Sequence, residues 1–246
     1  MAGHSHWSKI KREKGAADAK KGKIFSKHVR LIMTAARMGG GDPEMNPRLR
    51  LAIDKARADG MPKDNVDRAI KKGSGEVGGA AFEPVLYEGY LPGGVAVLVD
   101  CLTDNRTRTV AEVRNVLENA GGNLASSGSV LWGFDQRAVY HVPTAAIGED
   151  ALMDSALAAG AEDLRTIGDE FEVLAPPQKF AEVRDALARA KVPVKGAEIT
   201  WLPKTTVEIK DAELARRILA ALEELEDDDD VQSTVTNFEI PDSLVA

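Results

Sequence analysis

Apolar residues recur along this chain in two rhythms, and the change of rhythm divides it. From Lys23 the period is helical: Phe25, Val29, Ile32 and Ala36 fall on one face, with Lys23, Lys27, Arg30 and Arg37 opposite. Gly39-Gly40-Gly41-Asp42-Pro43 ends that helix, because glycine suits a C-terminal cap and proline cannot continue the ladder. Asn46-Pro47 predicts an N-cap and a first helical proline, followed by a second helix with Leu49, Ala52, Ile53 and Ala56 inward and Gly60 as its stop. A third helix is expected from about Pro62 to Lys72, with Val66, Ala69 and Ile70 inward. Residues 23–79 thus read as a small basic helical domain. Residues 1–22 show no apolar period and are expected to form a flexible basic arm.

The glycine-rich stretch from Gly73 to Ala81 reads as a linker. It contains a G-x-G-x-x-G match at Gly73, Gly75 and Gly78, but a dinucleotide site needs a strand before the glycines and a helix after them. Here the order is reversed, so the match is rejected. From Val85 the period becomes two. VLYEGY and VAVLVDCL, joined at Leu91-Pro92-Gly93-Gly94, predict paired strands, the second of them central because both its faces are apolar. Thr109 to Glu112 has the spacing of a capping box, predicting a helix with Val110, Val113 and Leu117 inward. GGNLASSGSV then reads as a loop and VLWGF as a further strand.

The order strand, helix, strand, strand, helix, strand recurs over 136–203, which is the ferredoxin-like arrangement. Strand TTVEI, a helix over Ala212–Leu225 and strand VTNFEI follow it. The expected fold class is α+β in three domains. They are the helical domain, a discontinuous α/β domain (80–135 plus 204–246) and a ferredoxin-like α/β domain inserted at 136–203.

Charge adds to this division. The net value is -7, yet residues 1–74 hold 18 Lys or Arg against 8 Asp or Glu, and the remainder 14 against 31. Such a split suggests a basic module for a polyanion carried on acidic domains. The plainer alternative is that basic and acidic parts attract one another within the fold. The run Glu223 to Asp230 places seven acids in eight residues; lacking a calcium-loop pattern, it reads as a solvated helix end.

The composition excludes several classes of function. No apolar run approaches the ~18 residues that span a bilayer, and no secretory h-region is present, so a cytoplasmic protein without a membrane partner is expected. Cys101 stands alone on an apolar strand and reads as a buried packing residue. No Walker A, zinc-spacing, nucleophile-elbow or kinase pattern is found, so no enzyme activity, small-molecule substrate, cofactor or metal is expected. His4 and His6, as two ligands alone, make a poor metal site.

The N-terminal cations carry the strongest signal. Lys9, Lys11, Arg12, Lys14, Lys20 and Lys21 on the arm, and Lys23, Lys27, Arg30 and Arg37 on the first helix, can pair with successive phosphates and release counterions. Trp7 can either stack on a base or dock on the protein. Nothing in the pattern predicts base-specific readout, so DNA and RNA both remain open.

The segments MAGHSHWSKIK, KGKIFSKHVRLIMTAARMGGGDPEMNPRLRLAIDKARADGMPKDNVDRAIKKG, YEGYLPGGVAVLVDCLTDNRTRTVAEVR and GGNLASSGSVLW resemble the YebC/PmpR family. The likeness runs the length of the chain and is tightest through Trp132. Near the C-terminus the family's DVQNVYxNF stands as Asp230 to Phe238 without its tyrosine. The resemblance implies three domains and a bacterial cytoplasmic protein that binds DNA and regulates transcription. It also implies an alternative, since the family includes a mitochondrial translational activator and members linked to ribosomes and proline-rich nascent chains. On that reading the partner is ribosomal RNA in the ribosome. The family supplies no catalytic residues.

Overall fold

Helix α1 (Asp18–Gly39) is the longest element of the structure, a computed structural model that describes residues 18–75 and 81–241. It starts five residues before the expected point. The polar stretch from Asp18 adds no apolar stripe, so periodicity alone could not register it. The remainder of the expected arm lies outside the described residues. Ile32 and Ala36 are buried, with Phe25 and Val29 packed at the margin of the same cluster. Gly40, at φ 86°, turns the chain off the helix in the left-handed conformation that glycine adopts without strain.

Helices α2 (Pro47–Ala58) and α3 (Lys63–Gly73) complete the helical domain with the predicted inward residues. Asn46 does more than cap α2. Its Oδ1 accepts from the Leu49 N–H at 3.1 Å, and its Nδ2 donates to the Ala35 and Gly40 carbonyls at 2.8 Å each. One buried amide thereby ties the end of α1 to the start of α2. Gly73 belongs to α3 rather than to the linker: a Cβ there would lie 2.5 Å from the Met33 carbonyl oxygen, so only glycine lets α3 approach α1 this closely.

The discontinuous α/β domain joins the helical domain in one compact unit, made of the described residues up to Leu131 and those from Val207 onward. Strands β1 (Glu83–Leu91) and β2 (Val95–Thr103) pair antiparallel, with Val85 opposite Cys101 and Gly89 opposite Val97. Helix α4 (Arg106–Asn119), the short strand β3 (Asn123–Leu124), β8 (Val207–Glu208), α7 (Ala212–Asp227), β9 (Val231–Thr236) and β10 (Phe238–Glu239) complete the domain. The sheet order is β3-β1-β2-β9, with β2 central as its two apolar faces require. Val95, Val97, Val99 and Cys101 pack in one core cluster with Val113 and Leu117 of α4 and with Ile218, Leu222 and Leu225 of α7.

Three local expectations change, each for a physical reason. Helix α4 begins at Arg106, because the Asn105 side chain accepts from the Arg108 N–H and caps it; Thr109 is used elsewhere. VLWGF is not a strand, and Leu131–Gly133 forms a 3₁₀ turn. The amides that a strand would need are taken by Glu88, whose buried carboxylate accepts from the N–H groups of Gly128, Val130 (2.6 Å) and Leu131 (2.8 Å). VTNFEI is broken at Asn237, whose Oδ1 accepts from the Ala96 N–H while its carbonyl accepts from the Val207 N–H. The chain thus leaves one sheet at β9 and pairs β10 with β8 in another, two-stranded one.

The inserted unit takes in 132–206. Its strands are β4 (Phe134–Pro143), β5 (Asp163–Ile167), β6 (Glu170–Ala175) and β7 (Gly196–Pro203), with helices α5 (Glu149–Leu157) and α6 (Phe180–Arg189). The order β5-β6-β4-β7, every pair antiparallel, is the ferredoxin-like arrangement. Tyr140 is fully buried, stacks on Phe180 at 5.5 Å and donates its hydroxyl to the Phe180 carbonyl. Lys204 closes the neck of this unit, with its N–H on the Gly133 carbonyl and its amine on the Trp132 carbonyl.

The end of the acidic run is not solvated. Asp230 is buried, and its carboxylate receives four side chains: the guanidinium of Arg30 from α1, that of Arg108 from α4 at 2.5 Å, and the hydroxyls of Thr109 (2.7 Å) and Thr103 (3.0 Å). Arg30 also reaches the Leu102 carbonyl and lies over the Phe82 ring at 5.0 Å. Burial alone would raise Asp230, but the hydrogen bonds from Arg108, Thr109, Arg30 and Thr103 outweigh it and hold the carboxyl at about 2.

Removing one partner of a buried pair leaves the other uncompensated, so Asp230→Asn should lower the free energy of unfolding in urea by about 3 kcal/mol. Asp229→Asn, at an exposed neighbour, should change it by no more than about 0.5 kcal/mol. The folded Asp230 value lies below the ordinary 3.8, so its stabilisation is complete above about pH 4 and is lost as pH falls toward 2. Glu88 behaves with the same sign: burial raises it, but its three backbone donors prevail and hold it below the ordinary 4.5. Urea titrations of Glu88→Gln across the acid range should show a flatter loss of stability than the parent, from a starting point about 1–3 kcal/mol lower.

Candidate nucleic-acid interface

The cations singled out in the sequence fall into three groups. Trp7, Lys9, Lys11, Arg12 and Lys14 lie outside the described residues. Lys20 and Lys21 belong to the first turns of α1, which makes them part of a helix rather than of the expected arm. Lys23, Lys27 and Arg30 sit on successive turns of one face of α1, and that face meets the acidic run.

The contacts are specific. Lys23 Nζ lies 3.4 Å from Asp227 Oδ2 and donates to the Asp227 carbonyl at 3.3 Å. Lys27 Nζ donates to the Glu226 carbonyl at 2.6 Å, and Arg30 pairs with Asp229 at 3.7 Å as well as with Asp230. The attraction between basic and acidic parts, the plainer of the two readings of the charge split, therefore operates for these three residues. Arg37 is exposed in the last turn of α1 beside the exposed Met38, whose sulfur lies 4.0 Å from the Arg48 guanidinium.

Sequence reasoning stopped its site at Arg37, and the structure extends the cationic surface onto α2 and α3. Arg48 and Arg57 on α2, and Lys63, Arg68 and Lys71 on α3, are all exposed. Arg50 differs, being held by Glu44 and the Pro43 carbonyl. The signal for these residues was present in the count over 1–74, and the inward stripes of α2 and α3 already assigned them to the outer faces. The exposed polar residues on these helices are chiefly Arg, Lys and Asp; Asn46 is buried in a cap and Asn65 is half-buried. Side chains of this kind can pair with phosphates, and arginine can also pair with a guanine edge, whereas the amides that read adenine are not exposed on these helices.

Other polar clusters have structural partners. Glu112, Asp228 and Asp230 approach one another closely enough to hold a cation, but the Asp230 oxygens already accept from two guanidinium groups and two hydroxyls. This donor set suits arginine rather than a metal ion. His28 is buried on α1 with its Nε2 2.6 Å from Asp59 Oδ2 at the end of α2. The Cys101 thiol is fully buried, and burial pushes its pKa far up, which fits a packing residue and not a nucleophile. Among the described residues no helix is long and apolar enough to cross a membrane.

Comparison with known proteins meets this architecture at every level. Residues 5–76 match the family domain described as the TACO1/YebC protein N-terminal domain, and residues 82–238 match the TACO1/YebC second and third domain. A protein of Desulfotalea psychrophila named as a probable transcriptional regulatory protein is 51% identical over 245 residues, 100% of this chain and 98% of its own length. One of Aquifex aeolicus with the same name is 48% identical over 246 residues, with 100% and 98% covered. The crystal structure of a conserved hypothetical protein from Aquifex aeolicus superposes with a TM-score of 0.83 at 47% identity, covering 92% of this chain and 93% of that one. These matches extend over the basic helical domain, the discontinuous domain and the inserted ferredoxin-like unit, and this chain belongs to the TACO1/YebC family.

Proposed function

We propose that this protein is a cytoplasmic nucleic-acid-binding regulator of gene expression, acting on promoter DNA as a transcriptional regulator. The observation that carries the reading is the charge of the N-terminal module: 18 basic residues against 8 acidic over 1–74, with exposed Arg or Lys on all three helices. The names of its relatives as probable transcriptional regulatory proteins support the choice of DNA. Lys9, Lys11, Arg12 and Lys14, which precede α1 in the sequence, and Lys20, Lys21 and Arg37 of α1 itself are the further cations of this reading. Trp7 adds a stacking group. Regulation proceeds by binding alone, with no reaction catalysed and no cofactor or metal required.

A second reading has its own support. A surface of Arg and Lys without exposed Asn or Gln on the helices recognises a phosphate path by shape, which suits structured RNA as well as an operator. On that reading the protein is a ribosome-associated translation factor that binds ribosomal RNA and assists synthesis of proline-rich sequences.

Replacing Lys9, Lys11, Arg12 and Lys14 together with Gln should weaken binding to duplex DNA and to RNA alike. The slope of log K against log salt should fall by up to about 3, at roughly 0.7–0.9 per lost phosphate contact. Thermal stability should stay within about 0.5 kcal/mol of the parent. Unchanged affinity in an anisotropy titration would remove the arm from the interface. Crosslinking in cells followed by sequencing of the bound nucleic acid separates the targets. Recovery of promoter DNA without ribosomal RNA is the expected result, and ribosomal RNA without promoter enrichment would replace the first reading by the second.

A further inference from the structure

We propose that the acidic run from Glu226 to Asp229 is a built-in competitor, occupying the Lys23–Lys27 face of α1 in place of phosphates until nucleic acid displaces it. The inference rests on the reading of the helical domain as a polyanion-binding module.

The geometry is that of a mimic. Lys23, Lys27 and Arg30 are spaced by four and three residues, so their Cα atoms advance by about 6 and 4.5 Å along the helix axis. Opposite them the last residues of α7 and the chain that leads to β9 present, in order, the Glu226 and Asp227 carbonyls and the Asp227, Asp229 and Asp230 carboxylates. Each cation of the row meets an oxygen of this strip, as it would meet the oxygens of a phosphodiester chain.

Burial divides the strip into a fixed part and a displaceable part. The side chains of Arg30 and Asp230 are 17% and 3% exposed, and two threonines and a second arginine hold that carboxylate in place. Lys23 and Asp227 are 48% and 58% exposed, and Asp229 is 54% exposed. The Lys23–Asp227 pair, exposed on both sides, is individually weak and yields to a denser array of negative charge. Asp229, exposed itself, is only a second and longer contact of the half-buried Arg30. The fixed pair keeps the weak ones together, so the acids remain at high effective concentration opposite their lysines. Binding of a polyanion then begins at the exposed cations of the helical domain and extends into this face by exchanging the Asp227 carboxylate at Lys23, and the Asp229 carboxylate on the outer side of Arg30, for phosphates, while the Arg30–Asp230 pair persists.

The test compares Asp227→Asn/Asp229→Asn with a control of equal net charge, Glu118→Gln/Asp169→Asn, whose acids are exposed and lie outside the strip. Binding of a fluorescein-labelled DNA duplex and of a labelled RNA hairpin is followed by anisotropy over a salt series, with thermal unfolding as a check on the fold. The inference predicts that the strip variant binds about threefold or more tightly than the parent, with a salt slope steeper by about one to two, because the acids no longer take up cations on release. The control should match the parent. Equal gains in both doubles would mark a bulk charge effect and overturn the competitor. A parent that binds while the strip variant gains nothing overturns the competitor and leaves the proposed function standing. Failure of both parent and strip variant to bind either probe overturns both.

Discussion

A single buried carboxylate holds the larger unit of this protein together. Asp230 draws on α1 through Arg30, on α4 through Arg108 and Thr109, and on the end of β2 through Thr103. Desolvating such a group is costly, and the cost is met only because four donors converge on it. That requirement explains much of the local sequence. Thr103 must end β2 with its hydroxyl free to bond, Asn105 must cap α4, and Arg108 and Thr109 must stand in its first turn. The segment Thr103 to Thr109 is therefore a connector built around a residue more than a hundred positions away.

The same contact changes the meaning of the charge split. Separating a basic N-terminal module from acidic domains suggests a surface that faces outward, and for Arg37, Arg48, Arg57, Lys63, Arg68 and Lys71 it does. Lys23, Lys27 and Arg30 instead face the chain's own acids. Attraction between the parts and the polyanion binding we propose are thus not rivals, because one row of cations can serve both, with the buried Arg30–Asp230 pair held and the exposed Lys23–Asp227 pair open to exchange.

The helical domain was legible because its inward residues follow one period and its ends carry their own punctuation in Asn46-Pro47 and Gly39 to Gly41. The βαββαβ order of the insert was legible for the same reason. What escaped was set by contacts distant in sequence. Glu88 could not announce that it would take the amides of Gly128, Val130 and Leu131, so VLWGF kept the look of a strand. Asn237 looked like an interior strand residue until Ala96 and Val207 came to meet it. Asp230 was one of seven acids in eight positions, and nothing local distinguishes the buried one. The α2 and α3 cations were visible on their outer faces, but the proposed site followed the densest charge and ended at Arg37.

Membership of the TACO1/YebC family places the chain beside relatives named as probable transcriptional regulatory proteins, and the exposed cations of α1, α2 and α3 are the surface we propose for nucleic acid. The most direct measurement is a map of contact residues. Ultraviolet crosslinking of the full chain to bound nucleic acid, followed by mass spectrometry of the modified peptides, should place the adducts within 1–74 and leave the inserted unit unmodified. Adducts confined to 132–206, with none in the helical domain, would contradict the account.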